Sequence, residues 1–491
     1  MLLKELLEDV ECEFSVIGNE NQYFKGLYHN SKEVKEDGLF FAISGTNVNG
    51  AEYVNEAIEN GAKVIVSEKE LELPDGVTNI LVKDVREAMS LFACSYYDNP
   101  SLDLFVIGIT GTNGKTTSTF MISSIFKEAG KSVGIIGTNG IYINGKHYPS
   151  SFTTPDPILL QETLSKMRSY GVDVVVMEVS AHALELQKIR GVMTDIALFT
   201  NLTQDHLDFF ESMENYGNAK KKFFNRSYSR YGVINLDDSF GKNIFETSNI
   251  PMLTYSRNQS QKKLREADIF ILEEKHNTTS TTFKISSPKG VQDFRINLSG
   301  GFNVSNALGA ISAGIIAGIP LEKISKGLNR LQKVAGRFNT YDVGGVRVII
   351  DYAHTPDGLE NILKATREIT DGEVYSVFGC GGNRDAGKRP IMGKISSELA
   401  DYTIITSDNP RFEHPDEIAA EIERGMDVGA MHSVILDREA AIKLAISMAK
   451  KGDSVVIAGK GAEDYIDMLG VKTHYSDGEV VEEIINELEK G

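Results

Sequence analysis

Short, nearly continuous apolar runs alternate along the chain with stretches whose apolar residues recur every three or four positions, the pattern of buried strands joined by crossover helices. From about residue 24 to 92 the runs are DGLFFAI (37 to 43), KVIVSE (63 to 68) and the start of NILVKDVREAMSLFACSYY (79 to 97), with AEYVNEAIENGA (51 to 62) in helical period. They predict a small α/β domain. DNPSLDL at 98 to 104 supplies turn residues, and LFVIGIT (104 to 110) reads as a buried strand directly after it, which places a boundary near residue 100.

The next segment holds VDVVVMEVS (172 to 180), DIALFTN (195 to 201) and GVINLDD (232 to 238), separated by helical or polar stretches. This is the grammar of a parallel sheet. Residues 256 to 300 turn polar and β-like around TTSTTFKIS (278 to 286), FNVSNALGAISAGIIAGI (302 to 319) reads as a small-residue helix, and the unit closes near VAGRF (334 to 338). The alternation returns in VRVIIDYAH (346 to 354), GLENILKATREI (358 to 369), EVYSVFGCGG (373 to 382), DYTIITSDNP (401 to 410) and SVVIAGKG (454 to 461). The expected fold class is therefore α/β in three domains: a small N-terminal one over 1 to 100, a central mononucleotide-binding parallel sheet over 101 to 336, and a doubly wound, Rossmann-like one over 337 to 491.

Composition narrows the partners. A formal net charge of -18 repels polyphosphate backbones and anionic membranes, so neither nucleic acid nor membrane insertion is expected. No segment approaches the ~20 apolar residues of a membrane span. Cys12, Cys94 and Cys380 form no metal-ligand spacing and suit a reducing cytosol. A cytoplasmic protein, acting as a monomer, is the expectation.

The chemistry concentrates in GITGTNGKTT at 108 to 117. A glycine-rich turn between a buried strand and a helix offers backbone N–H groups at the positive helix end, where a triphosphate binds. Gly111, Thr112, Asn113, Gly114 and Thr117 would form the cradle, Lys115 would reach the terminal phosphates and Thr116 would hold Mg²⁺. The spacing is not the general one, since Ile109 stands where that motif has glycine. An ordinary glycine-rich turn is the alternative. MEVSAHAL (177 to 184) and FTNLTQDHLDFF (199 to 210) place Glu178 and then Asn201, Asp205, His206 and Asp208 at strand ends, where open α/β sheets bind ligands. Singly, Glu178 reads equally as a helix cap and His206 as a satisfied core histidine; together beside a phosphate loop they suit divalent metal.

GTNGKTT, TTPDP (153 to 157), MEVSAHAL, FTNLTQDHLD, FNVSNAL, GRF, DYAHTPDGLE and GCGGNRDAGKRPIMG, spread over residues 24 to 479, together resemble the Mur ligases. The resemblance implies an ATP-dependent enzyme that activates a substrate carboxylate as an acyl phosphate, which an amine then attacks to form an amide in peptidoglycan synthesis. It implies catalytic roles for Lys115, Glu178, His206 and Lys220, with Lys220, in YxxAK from Tyr216, carbamylated at a second Mg²⁺ site. The bland alternative makes Lys220 one of three exposed lysines in KKK (220 to 222). Asn303 and Asn306 would read adenine, and Asp351 the ribose. Arg337 and His354 would close on the nucleotide; helix capping is the alternative for Asn303.

DNPR at 408 to 411 resembles the members that add meso-diaminopimelate, with Arg384 and Arg411 as guanidinium forks for its distal carboxylate. Asp408, Asn409, Pro410, Gly459 and Glu463 complete that pocket; a plain β-turn is compatible with it. The acceptor would be UDP-N-acetylmuramoyl-L-alanyl-D-glutamate, met by Ser31, Thr153, Thr154, Ser180 and Lys188. Here the family pattern is broken: Asn30 and Lys32 flank Ser31, Thr46 replaces a histidine, Phe152 an asparagine, Ala181 a serine and Lys188 an arginine, and Asn339 and Ala462 depart elsewhere. Another amine such as L-lysine, another acceptor, or a catalytically silent nucleotide-binding regulator are the competing readings.

Overall fold

The structure, a computed structural model, describes residues 1–45, 49–150, 152–258, 266–277 and 279–490. The departure at Thr46 and the first residue of the run at 278 to 286 lie outside the described residues. Among the described residues, three large sheets follow one another along the chain.

The first sheet has the spatial order Phe14–Ile17, Thr78–Val82, Ala62–Ser67, Gly38–Phe41, Leu27–Tyr28 and is parallel except for its first pair. Leu39, Phe41, Val64, Val66 and Ile80 form one apolar face against Ala88, Met89 and Phe92 of the helix Val85–Tyr96. Asp84 starts that helix by accepting from the backbone N–H groups of Arg86 and Glu87, the usual remedy for unpaired first-turn donors.

At the centre of the second sheet lies Phe105–Thr110, flanked in parallel by Val174–Glu178 and Thr194–Phe199. These strands are apolar throughout because both faces are covered. On one face pack Met121, Ile122 and Ile125 of the helix Lys115–Glu128 and Val304, Leu308 and Ile311 of the helix Gly301–Ile316. The small residues of the latter bring it close: a Cβ at Gly309 would sit 3.0 Å from Leu198 Cδ1. Antiparallel strands extend the sheet at both ends, and the polar, β-like stretch seen in the sequence supplies Ile269–His276, Thr281–Ser287 and Gly290–Ile296 at one of them. Phe283 stacks on Phe294 there.

The third sheet runs Asn339–Val343, Val346–Asp351, Ser454–Ala458, Val374–Phe378, Tyr402–Ile405, His432–Val434, again parallel after an antiparallel first pair. The α/β class is as expected. The carboxyl ends of the two larger sheets meet at a junction crossed by hydrogen bonds from Arg337 to Thr116, Asn113 to Asp357 and Gln204 to Asp385. Among the described residues no helix is long and apolar enough to cross a membrane.

Candidate active site

Strand Phe105–Thr110 ends in a turn that only glycine permits at two points. Gly111 has φ +150° and Gly114 φ +86°, and a Cβ would come 1.8 Å from Thr200 Oγ1 at the first and 2.2 Å from Asn306 Oδ1 at the second. The turn is held from the neighbouring strand end: Asn113 N–H donates to Asn201 Oδ1 at 2.9 Å, and Thr200 Oγ1 donates to the Asn113 carbonyl at 2.7 Å. Helix Lys115–Glu128 then begins without a side-chain cap, which leaves its first N–H groups at the loop.

Two ammonium groups converge on one carbonyl of this loop. Lys115 Nζ donates to the carbonyls of Gly111 (3.0 Å) and Thr112 (2.8 Å), and Lys220 Nζ donates to the same Gly111 carbonyl at 2.9 Å. Lys220 is 1% exposed, so it is no member of an exposed lysine run. Burial pulls both lysines' pKa values down, against the opposing pull of Glu178 and Asp205 on Lys115; the Lys115 charge pushes Lys220 further, well below an ordinary lysine. Arg337 adds a third cation, with Nη2 donating to Thr116 Oγ1 at 2.9 Å while the guanidinium lies over the Tyr352 ring. Such concentrated positive charge at a buried loop favours an oligophosphate.

Glu178 caps no helix; Ser180 does, accepting from Ala183 N–H. The buried Glu178 carboxylate accepts from Thr138 N–H (3.0 Å) and Thr138 Oγ1 (3.1 Å), one bond per oxygen, which leaves lone pairs for a cation. A Cβ at Gly137 would lie 2.3 Å from its Oε1. A carboxylate and the Thr116 hydroxyl are the hard oxygen donors that Mg²⁺ selects. Among the described residues no three His, Cys, Asp or Glu side chains cluster for a metal.

Asp205 organises the opposite wall. Burial pushes its carboxyl up, but a hydrogen bond from His354 and the charge of Lys388 prevail and hold it well below the usual range. Lys388 Nζ lies 3.4 Å from Oδ1, and His206 and His354 lie 3.3 and 3.6 Å from Oδ2. His206, in the left-handed conformation at φ +57°, has its pKa pushed down to about 3 by burial and is neutral, free to be a ligand. Its ring meets His182 edge-on.

Asn303 does not cap its helix. Its Nδ2 donates to the Ser299 carbonyl, Asn306 Nδ2 donates to its Oδ1, and Asn306 packs against Gly114. Asp351, its pKa raised by burial, accepts from Phe338 N–H at 2.7 Å. The departure Asn339 braces the same turn, accepting from Gly336 N–H and donating to the Val334 carbonyl. Gly336 in turn packs so tightly on the departure Ala462 that a Cβ would come 2.2 Å from its nitrogen.

DNPR forms more than a turn. Arg411, at φ +50°, pairs its backbone with Asp467 and Leu469 and aims Nη1 at the Gly382 carbonyl. Arg384 is exposed, and a Cβ at Gly381 would lie 2.9 Å from Arg411 Nη1 and 3.9 Å from Arg384 Cγ. Buried Asn409 donates to Glu463 Oε2 (2.9 Å) and accepts from Lys460 Nζ (3.1 Å). A Cβ at Gly459 would lie 2.5 Å from Asp408 Oδ2. Pro410 accepts from Glu413 N–H.

Among the residues expected to meet the acceptor, hydroxyls satisfy one another or the backbone. Thr153 Oγ1 is 3.1 Å from Thr138 Oγ1, and Thr154 Oγ1 donates to the Glu178 carbonyl and accepts from Ser180 N–H. Lys188, its pKa lowered by burial, places its ammonium 4.8 Å from the centre of the exposed Phe152 ring, so two departures from the family pattern meet. Ser31 lies in a separate cluster, its hydroxyl donating to Glu56 and its carbonyl accepting from Asn60. Two supporting residues were not singled out in the sequence: Thr138, which follows a plain glycine, and Lys388, which sits inside GCGGNRDAGKRPIMG with nothing to mark it from the neighbouring arginine.

Fold and site together define a nucleotide-handling α/β protein whose phosphate loop lies at the junction of two open sheets. The descriptions Mur ligase family, catalytic domain; Mur ligase middle domain; and Mur ligase, glutamate ligase domain match residues 23–97, 109–314 and 336–461. The chain is 43% identical to UDP-N-acetylmuramoyl-L-alanyl-D-glutamate–2,6-diaminopimelate ligase 1 of Clostridium acetobutylicum, over 99% of this chain and 100% of that one. It is 41% identical to the corresponding ligase of Caldanaerobacter subterraneus, over 100% of both chains. A solved UDP-N-acetylmuramoyl-L-alanyl-D-glutamate–2,6-diaminopimelate ligase superposes with TM-score 0.70 at 31% identity, covering 100% of this chain and 99% of that one. MurF from Acinetobacter baumannii shares the fold at TM-score 0.68 and 18% identity, over 99% and 98% of the two chains. The chain belongs to the Mur ligase family.

Proposed function

We propose that this chain is an ATP-dependent amide ligase that joins meso-diaminopimelate to UDP-N-acetylmuramoyl-L-alanyl-D-glutamate in peptidoglycan synthesis, as a cytoplasmic monomer. The observation that carries the reading is the convergence of Lys115, Lys220 and Arg337 on the phosphate loop, two from the central segment and one from beyond it. Residues 1 to 100 take the uridine nucleotide, 101 to 336 ATP, and 337 to 491 the amino acid.

ATP lays its phosphates on Gly111, Thr112, Asn113, Gly114 and Thr117, and Lys115 leaves the loop carbonyls for the terminal phosphate. Asn303 and Asn306 face the base, Asp351 the ribose, and Arg337 and His354 close from the far side. An acceptor carboxylate oxygen, oriented by Ser31, Thr153, Thr154, Ser180 and Lys188, attacks the γ-phosphorus. That bond forms as the bond to the bridging oxygen breaks, and ADP leaves with the electron pair. The amine then attacks the acyl carbon, the carbon–oxygen bond to phosphate breaks, and a proton is lost from nitrogen. Neutral amine is the form that attacks; Glu463 and Asn409 receive the substrate's other ammonium, while Arg384 and Arg411 grip its distal carboxylate beside Asp408, Pro410 and Gly459.

The depressed pKa of Lys220 supports a further step. Burial disfavours the ammonium form; the neutral amine adds to carbon dioxide through a new nitrogen–carbon bond and loses a proton, leaving an anion beside Lys115. Magnesium, held by Thr116 and Glu178 with a second ion at His206 and the Lys220 carbamate, would neutralise the charge on the phosphate oxygens.

Phosphate release measured with the muramoyl dipeptide nucleotide and a panel of amines tests the reading. Turnover is expected with meso-diaminopimelate and far less with L-lysine. Turnover with another amine and none with meso-diaminopimelate would overturn the choice of substrate, and none with any amine would overturn the ligase.

A further inference from the structure

Asn113 is gripped from two sides. Its backbone is fixed to the central sheet through Asn201 Oδ1 and Thr200 Oγ1. Its side chain is held chiefly by the segment 244 residues further on: Nδ2 donates to Asp357 Oδ2 at 2.7 Å, with a longer bond to Thr203 Oγ1 at 3.4 Å, and Oδ1 accepts from Thr355 Oγ1 at 3.3 Å. Asp357 occupies the first turn of the helix Pro356–Arg367, where burial pushes its carboxyl up against the hydrogen bonds from Asn113 and Asn361 and the helix end, which favour its charge, and Thr355 caps that helix by accepting from Gly358 N–H. A charged acceptor at 2.7 Å is the strong member of the set. Gly114 and Lys115 follow directly, so the orientation of Asn113 bears on the N–H groups offered to phosphate.

We propose that Asp357 is a positioning residue which, through Asn113, makes the shape of the phosphate loop and the docking of the C-terminal segment a single event. The contact exists only when the third sheet is docked on the second. Phosphate that holds the loop in shape therefore favours docking, and docking favours nucleotide by the same factor, because coupling of two binding events is reciprocal. Arg337 reaches the loop at Thr116 Oγ1, and Asp357 holds it at Asn113 Nδ2.

The inference rests on the ligase reading only for its kinetic readout, and wild-type turnover measured alongside separates the two. Asp357→Ala in the full chain is expected to lower kcat about tenfold and to weaken ADP binding, with the KM for the amine changed by less than about twofold. Asn113→Ala should do the same, and the double variant should be no worse than the worse single one. Asp357→Asn, whose amide oxygen still accepts, should recover most of the loss. Multiplicative effects of the two alanines, or a kcat for Asp357→Ala within twofold of wild type, would overturn the proposal; so would equal damage from Asp357→Asn and Asp357→Ala in proteins of unchanged melting temperature.

Discussion

The phosphate end and the acceptor end of the cleft are held together in opposite ways. At the phosphate end, Lys115 and Lys220 share one carbonyl, Arg337 leans in from another sheet, and burial depresses both lysines. At the acceptor end, Thr138, Thr153, Thr154 and Ser180 are paired hydroxyl to hydroxyl or hydroxyl to backbone, and the cation there, Lys188, rests on an aromatic face. The first region stores unfavourable charge that an anion would relieve. The second is close to satisfied by itself. Three departures from the family's pattern, Phe152, Ala181 and Lys188, lie in this second region.

The largest effect should come from the charged end. Lys220→Ala is expected to cut phosphate release by about a thousandfold, the upper range for losing one group that stabilises transition-state charge, with partial rescue by a short carboxylate. Unaltered activity would remove the carbamate from the account. Next, Arg411→Ala should raise the KM for the diamino acid about thirtyfold, the value of one charge-assisted hydrogen bond of about 2 kcal/mol, and leave the KM for ATP nearly unchanged. Equal effects on both constants would mean a folding defect. The smallest effect belongs to the acceptor end: Phe152→Ala should raise the KM for the muramoyl nucleotide only about threefold, as expected for an exposed cation–π pair of about 0.5–1 kcal/mol. A loss as large as that from Lys220→Ala would erase the contrast between the two ends.

Local features were the legible ones. The phosphate loop could be read because strand, glycines, lysine and helix are consecutive, and the α/β class because parallel strands covered on both faces are apolar throughout. Lys220 could not be distinguished from Lys221 and Lys222 by composition; only its helical register buries it. The Asp205 cluster drew Lys388 from 183 residues away and the Asn113 contact drew Asp357 from 244, separations at which no periodicity carries information. Arg389, 2% exposed, and Lys388 are adjacent, yet one pairs with Glu413 and Glu421 and the other with Asp205. Their roles follow from which way the helix faces, and that is decided by packing.

The central claim is that the acceptor's own carboxylate takes the γ-phosphoryl group before the amine arrives. It is tested most directly with muramoyl dipeptide nucleotide carrying ¹⁸O in its carboxylates, by mass analysis of the phosphate released as meso-diaminopimelate is joined. One ¹⁸O per phosphate is the predicted result. Phosphate without label, released alongside amide product, would contradict the acyl phosphate and with it the account of the site.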